Sequence, residues 1–382
     1  MNRLRALALC LLILISALLP GGCWDAHEIN TISIVAGVGI DTANDNQYDV
    51  TVQIKKVTKP TEGVPEPPFL LLDGTGDNVL EALNEIRLKN NRDLFLHQNQ
   101  AIVISSQQAE IGIRQLLDMF LRYHETRLEV WVMISDCRAN DLLQVKLVQE
   151  PVTATALSLM MQGRSEISPH LATNMLNVTS ALLDASTALV VPMVGIVDEF
   201  GFDKVVIEGS SVFVSDKMVG RLSEDETLGY AIGSSSIKSG QLEVETEEGS
   251  AVLYISDSAA KMKTRLVDGH VEADITVDAT LSIAEITGFE GKKLPEVFGI
   301  LEGAATQHMM DLISSAFEKS VTLNADIFGI GSALNRVDPK GWNSIKDNWK
   351  SLYPQTVMNI TVSGNLLESG KISDSLTMRG EE

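Results

Sequence analysis

The chain has 382 residues, and 51 acidic residues outnumber 30 basic ones, which gives a formal net charge of −21. A field of that sign repels phosphate backbones and anionic lipid headgroups, which argues against non-specific nucleic-acid binding. The apolar fraction of 45% is typical of globular protein, and the length allows two or three domains. Three cysteines, Cys10, Cys23 and Cys137, are too few for a disulfide scaffold or a four-cysteine zinc site.

The N-terminus has the three parts of a secretory signal. Arg3 and Arg5 precede an apolar run of 14 residues, Ala6–Leu19, and Pro20 and two glycines follow it. The run is shorter than the roughly 20 residues that a helix needs to cross the hydrocarbon core of a membrane. The pattern therefore favours a signal peptide over residues 1–22 rather than a lasting transmembrane helix.

Cys23 directly follows Gly22, and a small residue before a cysteine at the end of an apolar run resembles the lipobox of bacterial lipoproteins. In those proteins the thiol is diacylated and the preceding peptide bond is cut. Pro20 departs from the pattern, because a lipobox usually has a large aliphatic residue there. The alternative is an ordinary signal peptide with a chance cysteine near its end. A lipidated Cys23 would anchor the chain with about 0.8 kcal/mol of membrane affinity per buried methylene group.

The first half of the remaining chain alternates between strand and helix patterns, which predicts a layered α/β arrangement. Cys137, which follows a predicted strand, is expected to be a buried thiol. In chain order we expect paired strands within Ile32–Ile54, a stiff proline-rich loop at Lys59–Phe69, a helix capped by Asp77, a strand at Ala101–Ile104, a helix at Ala109–His124, a strand at Leu128–Ile134 and a helical stretch over Asp141–Leu189.

Antiparallel patterns dominate the second half. In chain order we expect a hairpin of Val205–Val214 with Met218–Gly220, a helix opened by a Ser223–Glu226 capping box, strands at Leu242–Tyr254, Lys261–Val267 and Val271–Ile286 with a turn at Asp268–Gly269, a long helix at Glu296–Ser320, helices at Ala325–Asn335 and around Trp342–Leu352, and a last strand at Val357–Val362.

Ser235 and Lys238 fit the Ser-x-x-Lys spacing of penicillin-recognising enzymes, and Gly240 completes a Lys-Ser-Gly element. Those enzymes carry the two elements on separate structural units, whereas here one lysine would have to serve both. A polar turn is therefore the favoured interpretation. A secreted hydrolase that uses Ser235 and Lys238 remains the alternative.

Other candidate sites are weaker. No two of the six histidines stand three to five residues apart, as a helical metal-binding pair requires. Gly37 and Gly39 lack the third glycine of a dinucleotide site. The Gly74–Asp77 turn opens a helix that could hold an anion, but its acidic residues favour a simple cap. Trp342 and Trp349 are interpreted as core anchors.

Three segments in order resemble one family, the Ger(x)C lipoproteins that form the C subunits of spore germinant receptors. The first is Cys23-Trp24-Asp25, where mature members of the family begin. The second runs from Ile207-Glu208-Gly209 through Asp216-Lys217 to Glu226. The third runs from Asp326-Ile327-Phe328-Gly329-Ile330-Gly331 through Trp342, Trp349 and Tyr353-Pro354 to Gly370.

The resemblance implies an α+β fold of three mixed α/β domains, each a largely antiparallel or mixed sheet packed by helices. After the signal peptide we expect an N-terminal region at 23–200 with two subdomains, a C-terminal domain at 201–375 and a tail at 376–382. It also implies a non-enzymatic protein without cofactor or metal, lipidated at Cys23. Its partners would be the polytopic A and B receptor subunits, on the outer face of the spore inner membrane.

The competing interpretation is a solute-binding lipoprotein of a membrane transporter. Such proteins have two doubly wound lobes around a hinge and a polar cleft. The long antiparallel stretch from Leu242 to Ile286 argues against that architecture.

Overall fold

The computed structural model describes residue 3 and residues 31–44, 47–56, 68–123, 126–163, 171–184, 186–237 and 240–367. Apart from Arg3, the predicted signal peptide lies outside the described residues, as do Cys23, the greater part of the proline-rich loop, Lys238 and the tail. The described chain forms two mixed sheets, each packed by helices.

The first sheet has nine strands in the described part of the chain. Its strands are β1 (Ile32–Thr42), β2 (Tyr48–Lys55), β3 (Phe69–Gly76), β4 (Asp93–Phe95), β5 (Ala101–Ser105), β6 (Trp131–Ser135), β7 (Leu189–Glu199), β8 (Phe202–Val214) and β9 (Lys217–Leu222).

These strands lie in the order β3-β2-β1-β5-β6-β7-β8-β9, and β4 pairs beside the start of β1. The central strands β1, β5, β6 and β7 are parallel, whereas the flanking pairs are antiparallel. All five residues of β5 are buried. This agrees with its continuous apolar sequence, because a central parallel strand is covered on both faces.

Six helices cover the two faces of the first sheet. One apolar cluster packs α1, α2, α3 and α6 on one face, and another packs α4 and α5 on the other. The helices are α1 (Val79–Lys89), α2 (Ser106–Ile111), α3 (Arg114–Arg122), α4 (Ala139–Gln144), α5 (Thr153–Gly163) and α6 (Met175–Leu183).

The second sheet has the order β10-β11-β12-β13, with an antiparallel ladder and a parallel last pair. This sheet is not the doubly wound lobe expected of a solute-binding lipoprotein. Its elements are α7 (Glu224–Gly233), β10 (Gly240–Thr246), β11 (Gly249–Val267), β12 (His270–Gly288), α8 (Leu294–Thr322), α9 (Ile330–Val337), α10 (Pro339–Ile345), α11 (Trp349–Leu352) and β13 (Val357–Leu366).

The two sheets share one apolar cluster. Val190, Val212 and Leu222 of the first sheet belong to the cluster that packs the second sheet against α8. The strands β8 and β9 pair within the first sheet, although they fall within the predicted C-terminal domain at 201–375. The division into domains itself stays a prediction.

The predicted α+β class is confirmed, because mixed sheets packed by helices form both halves of the described chain. The Asp268–Gly269 turn joins β11 to β12 as expected. Ser223 and Glu226 form the predicted capping box at the start of α7. These features depend on local sequence, which explains why they could be predicted.

Several local predictions were wrong, and the helix expected over Ala325–Asn335 begins only at Ile330. Asn78, not Asp77, caps α1, because its side chain accepts from the N–H of Glu81. The helix expected over Ala109–His124 is two helices, since Gly112 adopts a φ of 145° between them. The strand expected over Leu242–Tyr254 is a hairpin that turns between β10 and β11.

Candidate functional site

Ser235, the candidate nucleophile, holds two elements of the fold together. Its hydroxyl donates to the carbonyl of Ala260 at 3.1 Å and accepts from the N–H of Ala260 at 2.6 Å. The residue has a φ of 57° in the turn after α7. Lys238 lies outside the described residues. These contacts agree with the favoured interpretation of a polar turn, because the Ser235 hydroxyl attaches that turn to β11.

The glycines singled out in the sequence lie under closely packed helices. An added Cβ at Gly74 would lie 2.5 Å from the carbonyl oxygen of Ala82, and one at Gly37 would lie 2.4 Å from the Ala154 side chain. The backbone N–H of Thr75, at the candidate anion site, donates to the carboxylate of Glu85. The N–H group that could bind an anion is thus already bonded to a carboxylate of the same chain.

The predicted tryptophan anchors are confirmed as part of the core around the second sheet. The rings of Trp342 and Trp349 meet edge to face at 5.4 Å, and Trp349 meets Tyr353 in the same way at 5.6 Å. The Tyr353 hydroxyl also shares a hydrogen bond of 2.6 Å with Ser320 on α8. These rings fix α10 and α11 against the long helix.

Cys137 is half-buried rather than fully buried. Its sulfur lies 3.2 Å from the Ser135 hydroxyl. Burial raises the pKa of the thiol, and the hydrogen bond from Ser135 only partly opposes that change. A raised pKa favours the unreactive thiol over the thiolate.

The third segment of the family resemblance forms the joint between the two sheets. Asp326 is buried, with 6% of its surface exposed. Its carboxylate accepts from the N–H groups of Ile330 and Gly331, each at 2.8 Å. Its backbone carbonyl accepts from the N–H of Ala188, just before β7, at 2.9 Å. One residue therefore caps α9 and connects that helix to the first sheet.

Glycines make this joint close-packed. Gly329 has a φ of 70°, a left-handed conformation that favours glycine. A Cβ there would lie 3.1 Å from the Thr187 hydroxyl, and one at Gly331 would lie 2.7 Å from the Trp342 ring. The Phe-Gly-Ile-Gly spacing thus lets α9 start directly against both the first sheet and the tryptophans.

A cleft of about 560 Å³ opens beside Asp326. One wall comes from the segment before β7 and the β8–β9 turn, and the other from the chain around α9–α11. The polar residues that line it are Asp184, Ser186, Thr187, Ser215, Asn324, Asp326, Asn335, Lys346, Asp347 and Lys350.

Two acids of the cleft have pKa values displaced in opposite directions. Burial raises the pKa of Asp326 to about 7, against the opposing effect of the N–H groups of Gly331 and Ile330. Burial also acts on Asp184, but hydrogen bonds from Ser186 and Thr187 outweigh it and lower its pKa. Asp326 is therefore the acid of this joint that exchanges a proton near neutral pH.

The sequence drew attention to Asp326 only as the first residue of a matched motif. Its role depends on the N–H groups of Ile330 and Gly331, which only the folded backbone brings to its carboxylate. Among the residues that the structure describes, no group of three or more His, Cys, Asp or Glu side chains is arranged to hold a metal ion. No described helix is long and apolar enough to cross a membrane.

Comparison with known families agrees with the motif. Residues 25–196 match the family model described as the N-terminal domain of spore germination proteins. Residues 208–370 match the family model described as spore germination B3/GerAC like, C-terminal. The two matches divide the chain close to residue 200.

Relatives and a solved structure match along nearly the whole chain. Spore germination protein KC of Bacillus subtilis is 22% identical, with 96% of each chain covered. Spore germination protein A3 of the same organism is 23% identical, with 90% of this chain and 92% of that protein covered.

The crystal structure of the GerBC protein matches with a TM-score of 0.55 and 19% identity, over 90% of this chain and 100% of that one. This similarity concerns the fold. The two matched family models, which together cover most of the chain, show that it belongs to the Ger(x)C family of spore germination proteins.

Proposed function

We propose that this protein is the lipid-anchored, non-enzymatic C subunit of a nutrient germinant receptor, with a role in spore germination. The observation that carries the proposal is the pair of family matches, which together run from residue 25 to residue 370. Full-length relatives named as spore germination proteins support it, because each is matched over at least nine-tenths of its own length.

The anchor in this proposal is a diacylglyceryl group on Cys23. The match to the N-terminal family domain begins at residue 25, two positions after that cysteine. The signal-like run of Ala6–Leu19 precedes it. A chain released before Cys23 would carry a net charge of −23, because Arg3 and Arg5 leave with the signal. The acyl chains, rather than electrostatic attraction to headgroups, would then hold it on the membrane.

A non-enzymatic role agrees with how the described polar groups are used. The Ser235 hydroxyl is bonded to the backbone of Ala260. The Asp326 carboxylate is bonded to the N–H groups that begin α9. Both groups stabilise the fold, and neither is paired with a base or nucleophile in those contacts.

The proposed partners are the polytopic A and B subunits of the receptor, and the proposed location is the outer face of the spore inner membrane. A C subunit held there by lipid can contact both membrane-embedded subunits. Its acidic surface is expected to keep the folded domains away from anionic headgroups.

Replacement of the acylated cysteine tests the anchor. Cys23→Ala in the full-length chain is expected to leave an uncut or soluble protein that no longer incorporates radiolabelled fatty acid. Cys137→Ser is the matched control, because it removes the half-buried thiol and should leave fatty-acid labelling unchanged. Labelling that persists in Cys23→Ala would overturn the lipid anchor.

Receptor membership is tested separately by co-purification. The tagged full-length chain, expressed together with the A and B subunits of the receptor, is expected to retain both in mild detergent. Failure of both subunits to co-purify with the wild-type chain would contradict the receptor function, whatever the state of Cys23.

A further inference from the structure

The hairpin that joins β7 to β8 carries the most exposed aromatic side chains of the described chain. Phe200 is 92% exposed and Phe202 is 69% exposed. In addition, Val148 is 96% exposed and Leu159 of α5 is 52% exposed. These four residues belong to the lining of one groove, and large exposed apolar patches in soluble domains mark interaction sites.

The turn itself is costly for the isolated protein. Phe200 has a φ of 57° and the following Gly201 has a φ of 80°, the pattern of a type I′ turn. The first position of that turn favours Asn, Asp or Gly, and a left-handed conformation costs a bulky residue about 1–2 kcal/mol. Because the Phe200 ring is exposed, it gains no burial within the fold to offset that cost. The conformation instead presents the ring outwards.

The groove has the size for a polypeptide rather than a small molecule. Its volume is about 1490 Å³, larger than the roughly 300–1,000 Å³ of common ligand pockets. The floor and walls come from α5, the 145–150 segment and the hairpin. A concave apolar surface of this kind suits an extended or helical segment with apolar side chains at regular spacing.

Acidic side chains dominate the rim. Asp141, Glu150, Glu199 and Asp203 line the groove, against Lys146 and Lys204. Lys204 is already paired with Glu199. The remaining charge therefore favours a basic partner and disfavours both an anionic bilayer and a second copy of the same acidic groove.

The hairpin also lies far from where the anchored segment enters the fold. The strand register places Phe200 about 50 Å along the strand direction from the start of β1, at about 3.3 Å per residue. Residues 24–31 can span about 28 Å at most. If the end of the first sheet where β1 begins faces the bilayer, the groove lies at the opposite end of the sheet, away from the bilayer.

We propose that this groove binds an apolar segment with basic flanking residues from a partner subunit of the germinant receptor. The proposal rests on the proposed receptor function and adds the surface of this chain that makes the contact. Phe200 and Phe202 are the anchors of the interface, and the rim carboxylates orient the partner segment.

Site-specific photocrosslinking tests it. A benzoyl-phenylalanine placed at position 200 of the full-length, membrane-attached chain is expected to crosslink to a coexpressed A or B subunit on irradiation. Mass spectrometry of the product should identify an apolar peptide that contains Lys or Arg. The same probe at Leu88, an equally exposed position on α1, is the control and should give at least about tenfold less product.

Substitution supplies an independent measurement. Phe200→Asn with Phe202→Thr keeps a residue that tolerates the left-handed turn, so folding is expected to be unchanged or improved. The amount of A and B subunits that co-purifies should fall at least about tenfold, because the double variant removes the anchor residues of the interface. Leu88→Asn is the matched control and should retain them.

The outcomes separate the two levels of the proposal. Crosslinks to lipid or to a second copy of this chain would overturn the groove assignment, as would the absence of any product. Full retention of both subunits by the double variant would overturn it too, while leaving the receptor function intact. Failure of both subunits to co-purify with the wild-type chain would instead count against the receptor function.

Discussion

Asp41 caps a helix that begins 98 residues later in the chain, because its Oδ1 accepts from the N–H of Ala139 at 2.8 Å. Its Oδ2 accepts from Asn140 at 3.0 Å. The carboxylate lies at the end of β1 and is 2% exposed. Burial raises its pKa, while these N–H groups and Arg138 oppose the change. Asp41 thus attaches α4 to the first sheet, as Asp326 attaches α9 to the joint between the sheets.

Removal of the Asp41 carboxylate is expected to destabilise the first sheet. Asp41→Ala leaves two helix-terminal N–H groups without their acceptor, and each such loss costs about 1–3 kcal/mol. Urea unfolding should show the decrease in the free energy of unfolding. Asp118→Ala is the control, since its i,i+4 pair with Arg122 is exposed and contributes less than about 1 kcal/mol. Equal effects of the two variants would contradict the capping role.

Glycine at position 229 is expected to be required for the contact between α7 and α8. A Cβ there would lie 2.0 Å from the carbonyl oxygen of Leu312, a distance that forces the two helix backbones apart. Gly229→Ala should therefore lower the melting temperature or prevent folding.

Gly303, on the long helix α8, provides the control. Nothing lies within 4 Å of an added Cβ at that position. Gly303→Ala is expected to raise stability by about 0.5–1 kcal/mol, because alanine is the better helix former. A melting temperature of Gly229→Ala that equals that of Gly303→Ala would contradict the close approach of α7 to α8.

Asp326 is expected to make stability depend on pH. Burial raises its pKa in the folded chain to about 7, whereas the unfolded value is about 3.9. Between these values the folded chain holds a proton that the unfolded chain has released. The contribution of Asp326 to stability should therefore be greatest at the acidic end of this window and decrease as the pH rises towards 7.

The measurement is the free energy of unfolding of wild type and Asp326→Asn between pH 5 and pH 8. The difference between the two curves should change across this range. Asp184→Asn is the control, because the lowered pKa of Asp184 confines its effect to more acidic pH. A constant difference between wild type and Asp326→Asn would contradict the raised pKa of the buried carboxyl.

Membrane attachment is expected to be insensitive to salt. With an acyl anchor and an acidic surface, attraction to anionic headgroups contributes little to membrane binding. Screening of charges by salt should therefore weaken the binding very little. Washing membranes with about 1 M salt should leave the protein in the membrane fraction, whereas detergent should release it. Release by salt alone would contradict the acyl anchor.

Local features were predictable because their causes lie within a few residues. The Ser223–Glu226 capping box and the Asp268–Gly269 turn are both formed by neighbours in sequence. The helix start before Val79 was placed one residue early, since Asp77 and Asn78 are both good caps. Only their backbone conformation determines which side chain reaches the N–H of Glu81.

Composition and motif order by themselves determined the α+β class, the signal-like N-terminus and the family resemblance, because those properties reside in local pattern and in residues read in order. Tertiary structure alone decided that β8 and β9 extend the first sheet, that Asp326 caps a helix at the joint, and that Phe200 faces a groove beside Val148. These relationships join residues distant in the chain, and long-range pairing and burial, rather than local propensity, bring them together.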